Sequence, residues 1–203
     1  MRRISSPAPL LFAVALAAGC LSVGGPEPKC WNISGEGEAL SFKPEGASPE
    51  FSVTRLGQVF VLAPYDVKTM CVLRSDGSIA FDAYNVFADQ PSQLLRGAVI
   101  SALEKDGRFG AVVNTTSTVA AAASVEVLVT ELSLDCRSDG QRVARVALKA
   151  DVVAQRGGVR DIARSGRGVG MSDAIDGNYS AAFTTAVASA MRAALADMSG
   201  DGK

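Results

Sequence analysis

The sequence predicts an α+β domain, a mainly antiparallel sheet with two amphipathic helices packed on one face. Three observations point there. Short runs of alternating apolar residues recur between turn signals, which is the periodicity of strands. Two Ala- and Leu-rich stretches, one opening near Pro91 and one near Tyr179, place apolar residues at helical spacing instead. The order along the chain is strands, helix, strands, helix, so both helices can bury their apolar stripes on one sheet and share one core.

Composition agrees with a single folded domain. The chain has 203 residues, 48% hydrophobic and 20% charged, which is globular rather than disordered. Its net charge of −1 becomes −3 without Arg2 and Arg3. That balance gives no electrostatic reason to bind nucleic acid, or to adhere to anionic headgroups by charge alone. There is no histidine. Ser–His–Asp and Cys–His catalysis and histidine-containing zinc sites are therefore excluded. No metal or cofactor site is expected.

The first 20 residues divide into a basic start at Arg2 and Arg3, an apolar run over 10–18, and Ala17-Ala18-Gly19-Cys20. Nine apolar residues are too few to cross a bilayer, which takes about 20. They read as a signal peptide over 1–19. Small residues before a cysteine resemble the lipobox of bacterial lipoproteins, although Ala17 stands where Leu is usual. The resemblance implies that Cys20 becomes the mature N-terminus and carries covalent lipid. Ser22, where inner-membrane retention favours Asp, implies sorting to the outer membrane.

Residues 20–50 read as lipid anchor and tether, with Pro26, Pro28, Pro44 and Pro49 interrupting regular structure. Cys30-Trp31-Asn32-Ile33 predicts a short docked strand near 30–34. A single α+β domain follows over 51–198, and 199–203 is a polar, frayed tail. Within the domain, 51–63 is a strand ended by Pro64. Strands over 69–73 and 79–84 flank Ser75-Asp76-Gly77, a hairpin turn signal. Asp89 is placed to cap the first helix, with Pro91 in its first turn and Gly107 as its closing glycine. Phe109, Val112 and Val113 form a short strand, and 115–123 a loop. Val125, Val127 and Val129 alternate, but Leu132 and Leu134 fall on the opposite parity, which predicts a bulge or burial on both faces. Asp139-Gly140 turns the chain into an alternating strand through Val146, Leu148, Ala150, Val152 and Ala154. Gly157-Gly158 turns it again into a strand over 162–171. Asp176 is placed to cap the last helix, whose apolar face is Tyr179, Phe183, Ala186, Val187, Ala190, Met191, Ala194 and Leu195.

Chemistry-bearing residues are sparse. Two of Cys30, Cys71 and Cys136 can form a disulfide in an oxidising compartment, and spacing does not choose the pair. Gly166, Gly168 and Gly170 lack phosphate-loop spacing and read as close packing by a neighbouring element. Asp66, Asp76, Asp82, Asp135, Asp139, Asp151 and Asp161 sit mostly at turns, where Asp bonds its own backbone. No catalytic residues are assigned.

One stretch, 51–103, resembles the ABC-type transport auxiliary lipoproteins. The residues that carry the resemblance are Val59-Phe60-Val61-Leu62, Pro64-Tyr65-Asp66, Cys71-Val72-Leu73-Arg74, Asp82-Ala83-Tyr84-Asn85 and Pro91-Ser92-Gln93-Leu94-Leu95. Asp106-Gly107-Arg108-Phe109 and the closing Ala-rich helix extend it across most of 31–195. Cys71 stands where an aromatic is usual, and Cys30-Trp31 where Tyr-Tyr is usual. The resemblance implies a non-enzymatic subunit of an MCE-type lipid transport system, on the outer membrane and facing the periplasm. Its implied partners are an MCE-domain protein and ABC transporter subunits, with phospholipid and further copies of the chain as additional contacts. Arg74, Tyr84, Asn85 and Pro91 match family positions and are read as structural. The rival reading is a lipoprotein that regulates a cell-wall synthase or builds a secretion or assembly pore.

Overall fold

In a computed structural model, residues 26–34, 48–138, 140–156 and 159–199 are described. The leader, Cys20, Asp139, Gly157-Gly158 and most of the polar tail lie outside them. Among the described residues the elements are β1 (Lys29–Trp31), β2 (Phe51–Val61), β3 (Thr69–Leu73), β4 (Ile79–Phe87), α1 (Pro91–Lys105), β5 (Phe109–Val113), β6 (Ala123–Asp135), β7 (Val143–Arg156), β8 (Val159–Asp173) and α2 (Tyr179–Asp197). The α+β class and the two helices on one face are as expected.

The sheet is mixed, which corrects the mainly antiparallel expectation. Four of its seven strand pairings are parallel: β1 with β4, β2 with β5, β2 with β6 and β3 with β6. Only β3–β4, β6–β7 and β7–β8 are antiparallel, the last two being long ladders. The reason lies in β6. Its one edge is paired with β7 throughout, while its other edge takes β2 at Ala123–Val129 and then β3 at Leu134–Asp135. Both neighbours run in the direction of β6, so the sheet forks into a β2–β5 branch and a β3–β4–β1 branch. Local turn signals report hairpins but not such crossovers.

The core lies between this sheet and the helices. α2 packs over β7 and β8, while α1 packs over β2 and β5 and against α2. Leu56, Met70, Val125, Val129, Val146, Val152, Leu95, Leu103, Phe183 and Met191 are fully buried there. The bulge expected in β6 is present. Its register with β7 shifts between Val129 and Glu131, which lets Val129 and Leu132 both face the core. The 75–77 turn is also as expected, with Gly77 at φ 80°.

The glycines of β8 set how closely α2 approaches. A Cβ on Gly166, Gly168 or Gly170 would lie 2.1, 1.9 or 1.9 Å from the carbonyl oxygens of Ala194, Ala190 and Ala186. Alternate residues of the strand thus meet every fourth residue of the helix, backbone against backbone, with the Met198 side chain also lying against Gly166.

The helix ends differ from expectation. Asp89 does not cap α1; the N-cap is Gln90, with no side-chain bond of its own. The Asp89 carboxylate accepts from the adjacent Gln90 N–H and pairs with Lys68 at 3.4 Å. The cap comes from Asp66, 26 residues away, whose two carboxylate oxygens accept from Ser92 N–H at 3.0 Å and Ser92 Oγ at 3.2 Å. At the other end the chain leaves through Asp106 in extended conformation (φ −85°, ψ 122°), not through a glycine cap. Asp176 does not cap α2 either. It occupies a 3₁₀ turn, Ile175–Gly177, at φ 52°. Asn178 is the cap, accepting from Ala181 N–H at 3.1 Å.

Candidate docking face and tether clasp

Two features of the surface stand out. The first is the sheet face turned away from the helices. On its β6–β7–β8 side it carries a cross-strand polar ladder. Arg145 Nε donates to Glu131 at 2.9 Å, and Ser133 Oγ donates to the other Glu131 oxygen at 3.0 Å. Lys149 pairs with Asp151 at 2.8 Å, and Ser165 Oγ donates to Asp151 at 2.6 Å. Around the ladder stand exposed apolar side chains: Phe60 opposite Leu128, Val169 opposite Ala147, and Met171 opposite Arg145. Half-exposed ion pairs of this kind contribute about 0–1 kcal/mol each to folding. They are interspersed with the exposed apolar side chains of Phe60, Val169 and Met171.

The second feature is the clasp that holds β1. This strand has only three residues and cannot stay docked by its ladder alone. Trp31 secures it: the indole Nε1 donates to Asn85 Oδ1 at 3.0 Å, and its ring packs edge-on against Tyr179 at 5.3 Å. Asn85 is itself held, donating Nδ2 to Asp82 at 2.8 Å. Burial alone would raise the Asp82 carboxyl, but the Asn85 side chain and the amides of Tyr84 and Asn85 outweigh it and lower its pKa. Arg142 donates to the Tyr179 hydroxyl. Beyond Trp31, Ile33 is buried, Ser34 N–H donates to Thr184 Oγ1 at 3.1 Å, and Ser180 Oγ donates to the Asn32 carbonyl at 2.6 Å. The short strand expected near 30–34 is therefore a strap bound to both β4 and α2.

The family-motif residues meet in pairs. Pro64-Tyr65-Asp66 lies in the excursion between β2 and β3, and Asp66 caps the Pro91-led helix. Trp31 and Asn85 join in the clasp. Arg74 is exposed and closes the hairpin through its backbone, its N–H donating to Ser78 and its carbonyl accepting from Gly77, both at 2.9 Å. Tyr84 is exposed beside the clasp. Arg108 forms a bidentate pair with Asp106 and donates to the Leu195 carbonyl at 2.7 Å, tying the α1–β5 turn to the end of α2. Asn178, not Asp176, is the cap of α2, and it directly precedes the first helical residue. Nothing local marks Asp66 as the cap of α1, since its partner is remote. Asp66→Ala is expected to cost about 1–2 kcal/mol in urea unfolding. Asp89→Ala should stay within about 0.5 kcal/mol.

Asp76, Asp135 and Asp161 are taken up in local bonds. Asp76 accepts from Ser78 N–H at 2.8 Å, Asp135 pairs with Arg137 at 2.6 Å, and Asp161 accepts from Ile162 N–H at 2.7 Å. The hydrogen bond from Arg137 lowers the Asp135 pKa. Among the described residues no group of three Cys, Asp or Glu is placed to hold a metal ion. No helix there is long and apolar enough to cross a membrane.

Cys30, Cys71 and Cys136 stand as free thiols, exposed, buried and half-buried. Cys71 Sγ donates to the Pro64 carbonyl at 3.6 Å, and burial pushes its pKa to about 11. At pH 8 the Cys71 thiolate is on the order of 0.1% of the thiol. Iodoacetamide at pH 8 should therefore label Cys30 in the folded protein and Cys71 only after unfolding. Because the folded thiol titrates above the unfolded value of 9.0, its contribution to stability is full below pH 9 and is lost as pH rises toward 11.

No protein-family model and no curated protein matches this chain. Among solved structures it is similar to the crystal structure of protein XCC0632 from Xanthomonas campestris, a DUF330 protein. The TM-score is 0.63 at 14% identity, over 85% of this chain and 96% of that one. What the two share is the fold. A second crystal structure, of an uncharacterized protein, is similar with a TM-score of 0.51 at 15% identity, over 80% of this chain and 90% of the other. At these identities the likeness to DUF330 concerns architecture alone, and function must be argued from the sites.

Proposed function

We propose that this chain is a periplasm-facing lipoprotein subunit of an ABC/MCE-type lipid transport system. It is held at the outer membrane by lipid on Cys20 and acts by docking and tethering rather than by catalysis. The observation that carries this reading is that the resembling motifs, scattered in sequence, interlock in space. Asp66 of the Pro-aromatic-Asp turn bonds Ser92 of the Pro-led helix, and Trp31 bonds Asn85 of the acidic-x-Tyr-Asn stretch. Asp66, Ser92 and Asn85 lie in the resembling motifs and Trp31 stands where Tyr is usual, and their mutual hydrogen bonds support a shared structural core.

Two further features support it. The strap ties the chain next to the anchor firmly into the domain, so a pull on the lipid is transmitted to the fold. The outer sheet face offers a mixed polar and apolar surface for a partner subunit.

A crosslinked pulldown of the full-length, lipidated protein from its own envelope tests the proposal. MCE-domain or ABC transporter subunits are expected in the captured fraction, and Cys20→Ser should move the protein out of the membrane fraction and reduce capture. Recovery of cell-wall synthases or secretion-pore subunits in their place would overturn the transport reading.

A further inference from the structure

We infer that the outer edge of β4, at Ile79, Phe81 and Tyr84, rests on the bilayer in which Cys20 is anchored. This depends on the lipid-anchor reading above and adds to it which surface of the domain meets the lipid.

Reach limits the choice of surface. From Cys20 to Lys29 there are nine residue steps, which span at most about 30 Å when fully extended. A compact domain of this size is about 40 Å across. The surface near Lys29 must therefore stay close to the membrane. Direction narrows the choice further. β1 runs parallel to β4 with Lys29 opposite Asn85 and Trp31 opposite Phe87. Traced back toward the anchor, the chain leaves Lys29 on the side of Tyr84, Phe81 and Ile79. Among the described residues β1 covers only Asn85–Phe87, so the outer edge of β4 before Asn85 has no paired strand.

The side chains there suit a headgroup layer. Ile79, Phe81 and Tyr84 are 42%, 53% and 55% exposed. Aliphatic and aromatic side chains with a phenolic hydroxyl among them match the boundary between acyl chains and headgroups. Lys29 and Arg74, both exposed, flank them. Of the nearby acids, Asp76 accepts from Ser78 N–H and Asp82 from the amides of Tyr84 and Asn85, while Glu27 is exposed beside Lys29. The contact needs no anionic lipid, in keeping with the net charge.

The test uses full-length lipidated protein in phosphatidylcholine vesicles with brominated acyl chains. A tryptophan is introduced by Phe81→Trp or, as a remote reference on exposed β8, by Ile162→Trp. Native Trp31 in the wild-type protein supplies the background, and unchanged thermal melting shows that each variant is folded. Quenching of Phe81→Trp is expected to exceed that of Ile162→Trp by about twofold or more. Equal quenching, or none at Phe81→Trp in protein that floats with the vesicles, would overturn the inference and leave the anchor reading standing. Absence of acyl chains on Cys20 by mass spectrometry would overturn both. A blue shift of Phe81→Trp seen only in native envelopes, with no quenching by lipid, would overturn it in favour of a protein strand on the same edge.

Discussion

Gly168→Val is expected to prevent the domain from reaching its folded state. A Cβ at Gly168 would lie 1.9 Å from the Ala190 carbonyl oxygen and 2.6 Å from the Ala194 amide nitrogen. Both are helix backbone, so no side chain can swing away, and relief requires lifting α2 off the sheet. That helix buries Tyr179, Ala182, Phe183, Thr184, Ala186, Val187, Ala190, Met191, Ala194 and Leu195. Overpacking ordinarily costs about 1–3 kcal/mol, but that figure assumes neighbours that can shift. Here the cost should be roughly 4 kcal/mol or more, a large share of the 5–15 kcal/mol typical of a domain. The measurement is soluble yield and cooperative thermal unfolding by circular dichroism. Gly97→Ala is the control: in α1, with nothing within 4 Å of the place its methyl group would occupy, it should stabilise by about 0.5–1 kcal/mol. A Gly168→Val protein that melts cooperatively near the wild-type temperature would show that α2 does not pack as described.

Phe183→Ala should be the most damaging single truncation in the core, at about 3–5 kcal/mol. Phe183 is 1% exposed and packs edge-on against Phe87 at 5.2 Å. Phe87 lies in β4 opposite Trp31, and Trp31 packs on Tyr179, one turn before Phe183 on α2. The two aromatic pairs therefore fasten the β3–β4–β1 branch, and the strap with it, to the helix. Removing the Phe183 ring leaves a cavity where that branch meets α2. Urea unfolding should report the loss, and Tm should fall by on the order of 10 °C. Because the strap shares this junction, limited proteolysis near 26–34 should also become faster. A loss below about 1 kcal/mol would mean that the branch is fastened elsewhere.

Where local chemistry decides structure, the sequence was legible. Period-two apolar runs placed the strands, and the parity change between Val129 and Leu132 called for a bulge or burial on both faces, of which the structure has the bulge. Asp76-Gly77 placed a hairpin, because a positive φ falls to glycine at low cost. The alternating glycines of β8 were correctly read as close packing, and their partner proved to be α2. The caps were misread where the capping group is remote, as with Asp66, or where the nearest acid is displaced, as with Asp176, two residues before the true cap Asn178.

The sequence by itself determined the α+β class, the elements and their inward faces, since periodicity and turn chemistry act over a few residues. It also excluded histidine-dependent chemistry outright. Only the tertiary structure decided that the sheet is mixed and forked. Which strand lies beside which is set by burial shared among segments far apart in the chain, and β6 accepts β2 and β3 in succession along one edge. The same holds for the clasp. Trp31 and Asn85 are 54 residues apart, and Asp66 and Ser92 are 26 apart, so no local pattern records their hydrogen bonds. Those bonds exist because the packed core brings polar groups together that would otherwise lose their water without a partner.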